Sequence, residues 1–435
     1  MAEGPNSALP RRSFLKAAVA TGGAAALSAC LNRLQETQAD PVPHGVKNEN
    51  SLPVRQHAWR DVIRKDTHGN SLLPNHQILL YLTLKTAGPP GSNARRTVET
   101  ALSTLDRAYE RSNRGLLFSA AYSPTYFDRF DEPLPDAIDL PPPRALSPFE
   151  HPTLDTQDML LHFASDRADV VLEAEEALIG DRDRANGVPV EVGLSGILSV
   201  DSRRTGFVGA GMPAERQDVK GIPGSKPVPD AAPLFMGFKA GFERNQATEE
   251  YVTLDEGPFA GGTTKHVAKL RQRLDDWYVE QDFEDRVAEL FSPTHARRGL
   301  VEGVGDNLGD DSGVTAEIVE RIETDAREYG RVGHAQKAAR ASRDDEGNVR
   351  LLRRHIESTD DDEAGLHFPS LQRGISDFEA VQRAMNGMDV VRKTPTISPR
   401  VNNGILEYIF VQNRGNFLVP PRPYRSLPHP RPDEQ

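Results

Sequence analysis

The stretch Gln77-Ile78-Leu79-Leu80-Tyr81-Leu82-Thr83-Leu84 is an apolar run of strand length, and in residues 94–111, which follow it, apolar side chains recur at helical spacing. A second strand is predicted over 115–122. Beyond a proline-rich loop, 131–152, residues 159–164 read as a strand, 168–178 as a helix and 190–200 as another strand. The order is strand, helix, strand, then strand, helix, strand. That order is the ferredoxin-like pattern, an α+β arrangement with helices on one face of an antiparallel sheet.

Working outward, the later part of the chain repeats the theme with longer insertions. Residues 262–266 lead into 267–277, strand-like and then helical, and an amphipathic helix is predicted over 314–329, ending near Gly330. Residues 365–371 read as a strand and 378–385 as a helix. A closing strand pair, 403–411 and 416–419, is expected around the turn Asn413-Arg414-Gly415. The predicted architecture is therefore α+β, two ferredoxin-like halves of the dimeric α/β-barrel type with antiparallel sheets, over 76–232 and 233–421. Polar residues 31–75 read as a flexible tether, and the proline-rich residues 422–435 as an extended tail.

The N-terminus carries an address. Arg11-Arg12-Ser13-Phe14-Leu15-Lys16 is a twin-arginine signature, and the apolar run 17–29 is too short to cross a bilayer as a helix. It closes on Leu27-Ser28-Ala29-Cys30, which resembles a lipobox, and Cys30 is the single cysteine of the chain. Export by the twin-arginine route and lipidation of Cys30 are expected, placing the protein on the outer face of the cell membrane. One acyl chain holds a membrane only reversibly, so stable anchoring needs a second. With Cys30 consumed, no disulfide or thiolate metal site remains. The twin-arginine route carries folded cargo, often with a cofactor already inserted.

The formal charge of −12 over 435 residues argues against a nucleic-acid partner, whose phosphates require a basic stripe. Arginine far outnumbers lysine, and acidic runs such as Asp360-Asp361-Asp362-Glu363 recur. Such a composition suits a salt-adapted, strongly hydrated surface, and an ordinary solvated acidic surface equally well.

Several motifs fall in one order along the C-terminal half: Gly237-Phe238-Lys239-Ala240-Gly241, Phe259-Ala260-Gly261-Gly262-Thr263, His334, and Leu351-Leu352-Arg353-Arg354. Gly365-Leu366-His367-Phe368 with Gln372 and Phe378 follows, then Phe417-Leu418-Val419-Pro420-Pro421. In order and spacing they resemble the dye-decolourising (Dyp-type) haem peroxidases, which are built from two ferredoxin-like halves. The resemblance implies haem b as cofactor, hydrogen peroxide as substrate and a reductant that the sequence does not name. It leaves a homo-oligomer open.

The resemblance also assigns roles. His334 stands where the family places its iron ligand, a neutral imidazole; His266, His295 and His355 are the other candidates lying close to a motif. Arg353 matches the distal arginine, a fixed charge that stabilises the oxyanion as the O–O bond lengthens. Arg354 would face the other way on an extended segment, whereas His355, two residues from Arg353, would share its face and line the pocket. Gly237, Phe238, Ala240, Gly241 and Gly262 would lie near the macrocycle, the glycines admitting close backbone approach or simply serving turns. The chain departs from the family at Ala240, where the motif has an Asp that shuttles a proton between the peroxide oxygens. Glu243 is the nearby carboxylate that could substitute. Chlorite dismutases share the two-lobed fold and use a proximal His and a distal Arg without that Asp. The expected function is a haem peroxidase at the cell surface; the alternative is a degenerate haem-binding relative without turnover.

Overall fold

The computed structural model describes residues 40–180 and 182–432, so the twin-arginine signature and Cys30 lie outside the described residues. The first half consists of β1 (His76–Leu84), α1 (Ser92–Ala108), β2 (Leu117–Tyr122), β3 (Met159–Ser165), α2 (Ala168–Ile179) and β4 (Leu198–Phe207). β1 pairs antiparallel with β3 and β4, and β2 with β3, giving the ferredoxin-like order β4-β1-β3-β2. The second half has β5 (Thr263–Gln272), α3 (Phe283–Leu290), α4 (His334–Ala339), β6 (Leu352–Arg353), β7 (Ile356–Ser358), β8 (Gly365–Gln372), α5 (Ile375–Asn386) and β9 (Ile409–Val419). β5 lies between β8 and β9, while β6 and β7 both pair with the other edge of β8, so the same order recurs.

Two joins close the sheets into a barrel: Glu357 on β7 pairs with Phe207 on β4, and Leu418 on β9 with Tyr122 on β2. Closure explains why β1 is apolar without a break from Ile78 to Leu82. Leu79 and Tyr81 point into the barrel against Leu160, Val267, Leu371 and Phe417, while Ile78, Leu80 and Leu82 point outward under α1 and α2. A strand buried on both faces loses the polar–apolar alternation of a half-exposed one.

Some sequence expectations are corrected by tertiary pairing. The strand expected over 190–200 begins only at Leu198 and runs on through Asp201-Ser202-Arg203-Arg204-Thr205. This polar run is accommodated because Arg203 pairs with Glu175 on α2 at 2.8 Å and Arg204 with Asp155 at 2.6 Å. The helix expected over 314–329 is two, Ala316–Glu320 and Ile322–Tyr329, meeting at Arg321. Asn413-Arg414-Gly415 is not a turn but the middle of β9, next to an irregularity in register opposite Lys269/Leu270. Gly415 serves packing there, since a Cβ would stand 2.7 Å from the Phe417 ring and 3.0 Å from Asp155.

The described parts of the predicted tether and tail are docked rather than loose. Within the predicted tether, Trp59 is 1% exposed, and Gln56 exchanges hydrogen bonds with the Ala120 backbone while donating to Pro420 O. In the predicted tail, Arg425 is buried and reaches Asp106 on α1 at 2.5 Å, with Arg422 contacting the same carboxylate at 3.1 Å. A stretch of polar composition thus binds the barrel through buried ion pairs that local sequence does not announce.

Candidate functional site

The outer face of the second sheet carries a cavity of about 640 Å³ between β5, β8 and the helices α4 and α5, within the roughly 300–1,000 Å³ range of small-molecule sites. On β5, Val267 fills the barrel while Ala268 and Leu270 line the cavity, as strand alternation requires. Phe368 on β8, Ala335 and Ala338 on α4, and Phe378 and Val381 on α5 make the rest of the wall largely apolar.

His334 is the first residue of α4, which Gly333 caps: Gly333 N donates to the buried Gln336 side chain at 3.2 Å. Its backbone is wedged tightly. A Cβ on Gly333 would fall 1.9 Å from Phe291 O, and one on Gly404, which has φ +58°, would fall 2.9 Å from His334 N. Lys337 Nζ pins the helix by donating to both Asn403 O and Oδ1 at 2.7 Å. The His334 ring lines the cavity, with Nδ1 closed off and unpartnered among the described residues, leaving Nε2 as the nitrogen with access. Burial, then the charges of Lys337 and Arg353, pushes its pKa down to about 3, so the imidazole is neutral.

Arg353 enters from the sheet side at the end of β6. Its backbone N and Nε both donate to Gln246 Oε1 at 3.1 Å, Nη2 donates to Asn245 O at 3.0 Å, and Gln246 returns a bond to Arg353 O at 3.0 Å. No carboxylate partners this guanidinium among the described residues, and burial lowers its pKa only to about 10, so it remains charged. Arg354 N donates to Pro369 O and continues the ladder, so Arg353, His355 and Glu357 share one face and all line the cavity. His355 lies parallel to Phe368, 6.0 Å between centroids at 10°, with Nδ1 unpartnered among the described residues and its pKa pushed down to about 3 by burial and then Arg353. Glu357 accepts from Phe235 N at 2.8 Å and Gln272 Nε2 at 2.7 Å, and burial raises it to about 8.

Of the residues singled out in the sequence, His334, Arg353, His355, Phe238, Ala240 and Gly241 meet around this cavity, together with the motif residues Lys239, Leu351, Leu366, Phe368 and Phe378, whereas Gly237, Glu243, Gly262, His266, His295 and Arg354 do not line it. Glu243 turns to Arg60, 2.6 Å away, and its backbone N to Asn70 at 2.8 Å, so it is no substitute for the acid missing at Ala240. Gly237 serves a turn at φ +87° beside the Tyr278 hydroxyl, and Gly262 packs the start of β5 against Val419 O. His266 stacks on Phe378 at 3.8 Å with both nitrogens engaged, by Asn416 Oδ1 at 2.7 Å and Arg414 Nη1 at 3.2 Å. His295 is likewise saturated by Ser292 and by Ser312 O. Arg354 faces away, donating to His57 O at 2.6 Å and Glu249 at 2.9 Å and lying over Trp59.

The sequence reading missed Glu357, although its spacing of two from His355 could have revealed it. It also missed Arg400 and Arg343, cavity-lining guanidiniums whose hydrogen bonds go to backbone carbonyls. No local pattern marks them, because the strands and helices that form the cavity with them come from other parts of the chain.

The fold has solved counterparts. The encapsulated DyP-type peroxidase from Mycobacterium smegmatis superposes with a TM-score of 0.54 at 18% identity, covering 83% of this chain and 97% of that one. The dye-decolorizing protein from V. cholerae gives 0.52 at 14%, covering 83% and 96%. A variant of DypB from Rhodococcus jostii RHA1 in complex with heme gives 0.52 at 16%, covering 86% and 98%. A comparison with curated protein sequences finds no match. Across most of its length the chain thus has the fold of the DyP-type peroxidases. By sequence, a family model matches residues 74–421, and the chain belongs to that family of unknown function, DUF7405.

Proposed function

We propose that the cavity binds haem b, which His334 Nε2 would hold, and that the protein is a peroxide-dependent oxidoreductase. The observation that carries this reading is His334 itself: a neutral imidazole, held rigidly at a helix start, with one nitrogen buried and the other opening onto an apolar cavity. The remaining lining suits the same group. A flat apolar macrocycle matches the aromatic and aliphatic walls, and its two carboxylates match guanidiniums such as Arg343 and Arg400 that have no carboxylate partner among the described residues. Solved relatives of the same fold include a DypB variant in complex with heme.

Bound haem supplies the electrons that break the O–O bond of peroxide and recovers them from a reductant. Arg353 would offer a permanent positive charge to the departing oxygen as it becomes negative, preorganised by Gln246 and Asn245 rather than neutralised by an acid. A second reading, a haem-binding protein without turnover, is favoured by Ala240 and by the diversion of Glu243 to Arg60.

The test is spectroscopic. Full chain produced with haem available is expected to show a Soret band that His334→Ala weakens or shifts; a folded sample that stays colourless on haem titration refutes the cofactor. We also propose that the protein is exported by the twin-arginine route and anchored through Cys30, a reading supported by the N-terminal motifs. No helix among the described residues is long and apolar enough to cross a membrane. Because Cys30 is the proposed point of lipid attachment, Cys30→Ser should move the protein from the membrane fraction to the medium, and continued retention refutes the anchor.

A further inference from the structure

The geometry points to His355 as the acid–base residue of this cavity, taking a proton from one oxygen of hydrogen peroxide and passing it to the other. The inference rests on the haem reading above and goes beyond it by naming the group that performs the proton transfer. Ala240 has no titratable group, and Glu243 is bound to Arg60 outside the cavity lining. The acids that do line the cavity are otherwise engaged: Glu357 holds Phe235 N and Gln272, Glu150 is bidentate to Arg414, Asp311 accepts from Gly313 N, and Glu320 is exposed.

His355 differs from all of these. Its Nδ1 is closed off, its Nε2 has access to the cavity, and Phe368 lies parallel to the ring and restricts its orientation. It stands two residues from Arg353 on the same face of an extended segment, so the base and the fixed charge are presented together, with Cα atoms roughly 6–7 Å apart. It belongs to the sheet wall, whereas His334 belongs to α4.

The step balances as follows. Nε2 accepts the proton of the inner peroxide oxygen and returns it to the outer oxygen, which leaves as water when the O–O bond breaks. Bound haem would supply the two electrons that breaking the O–O bond requires, and these would be replaced by two one-electron transfers from an organic reductant. Two protons from solvent release the inner oxygen as a second water. Arg353 stabilises the anion in between without giving up its own proton.

The experiment uses full-chain protein loaded with haem b, as wild type, His355→Leu and His355→Gln. Hydrogen cyanide must lose a proton to bind ferric haem as cyanide, so its association rate reports the base without any turnover. Both variants are expected to keep the Soret band yet to bind cyanide and react with peroxide about a hundredfold or more slowly, the usual effect of losing a positioned base. The glutamine variant preserves polarity and volume, so a leucine variant that folds poorly does not spoil the test. Cyanide association as fast in both variants as in wild type overturns the inference and leaves haem binding standing. A low-spin wild type that becomes high-spin in both variants overturns it too, making His355 a second axial ligand. A colourless wild type removes the haem reading and this inference with it.

Discussion

Gly404→Ala tests whether His334 is held by contact or merely happens to lie at the cavity wall. Gly404 has φ +58°, so an alanine there adopts the left-handed conformation at a cost of about 1–2 kcal/mol. Its Cβ would also meet His334 N at 2.9 Å, Cα at 3.0 Å and Cβ at 3.3 Å. These are mostly backbone atoms of a helix start that Lys337 and Asn403 tie down, so relief requires moving α4, at roughly 1–3 kcal/mol for an overpacked interior. Gly330→Ala is the control: φ is +66°, but nothing stands within 4 Å, so only the backbone cost applies. Any gain from stiffening the unfolded chain is common to both and cancels. Urea unfolding should therefore show Gly404→Ala to be less stable than Gly330→Ala by roughly 1–3 kcal/mol. Haem titration should show a weakened Soret band for the first and an unchanged one for the second. Equal stability of the two variants, with equal haem binding, would refute the claim that Gly404 positions His334.

Asp106→Ala strands the buried guanidinium of Arg422 and leaves Arg425 to Glu99 alone, and should cost about 3–5 kcal/mol in urea unfolding, with faster proteolysis of the C-terminal segment; an unaltered midpoint contradicts its role as the dock. Glu357 has its pKa raised by burial from 4.5 to about 8, so between those values the folded state binds more protons than the unfolded and stability falls as pH rises. Glu357→Gln should remove that component, so its stability relative to wild type should increase from pH 5 to 8 in denaturant titrations; a difference independent of pH contradicts it. Ala240→Asp places a carboxylate in the cavity lining and, in a His355→Leu background, should raise peroxide-dependent dye oxidation by roughly a hundredfold by restoring a proton carrier. Haem-loaded wild type and variant that are both inert would favour the non-catalytic reading.

Features whose cause is local were legible in the amino-acid sequence alone. Apolar runs and helical spacing located β1, α1, β2, β3, α2 and α5, and their order sufficed for two ferredoxin-like halves, because a strand or an amphipathic helix is written in neighbouring residues. Alternation likewise separated Arg353 and His355 from Arg354, since successive side chains on an extended segment must face opposite ways. Long-range pairing decided the rest. Barrel closure rests on the joins Glu357 with Phe207 and Leu418 with Tyr122, and the docking of both ends on Gln56, Trp59 and Arg425, whose partners lie far away in the chain. Glu243 looked like a substitute acid because it stands three residues from Ala240, yet Arg60 draws it off. Arg353 is oriented by Gln246, 107 residues away, and His334 by Gly404. The sequence named candidate groups; which of them share a cavity, with their polar atoms open or already satisfied, depends on contacts between distant segments and was decided only by the folded chain.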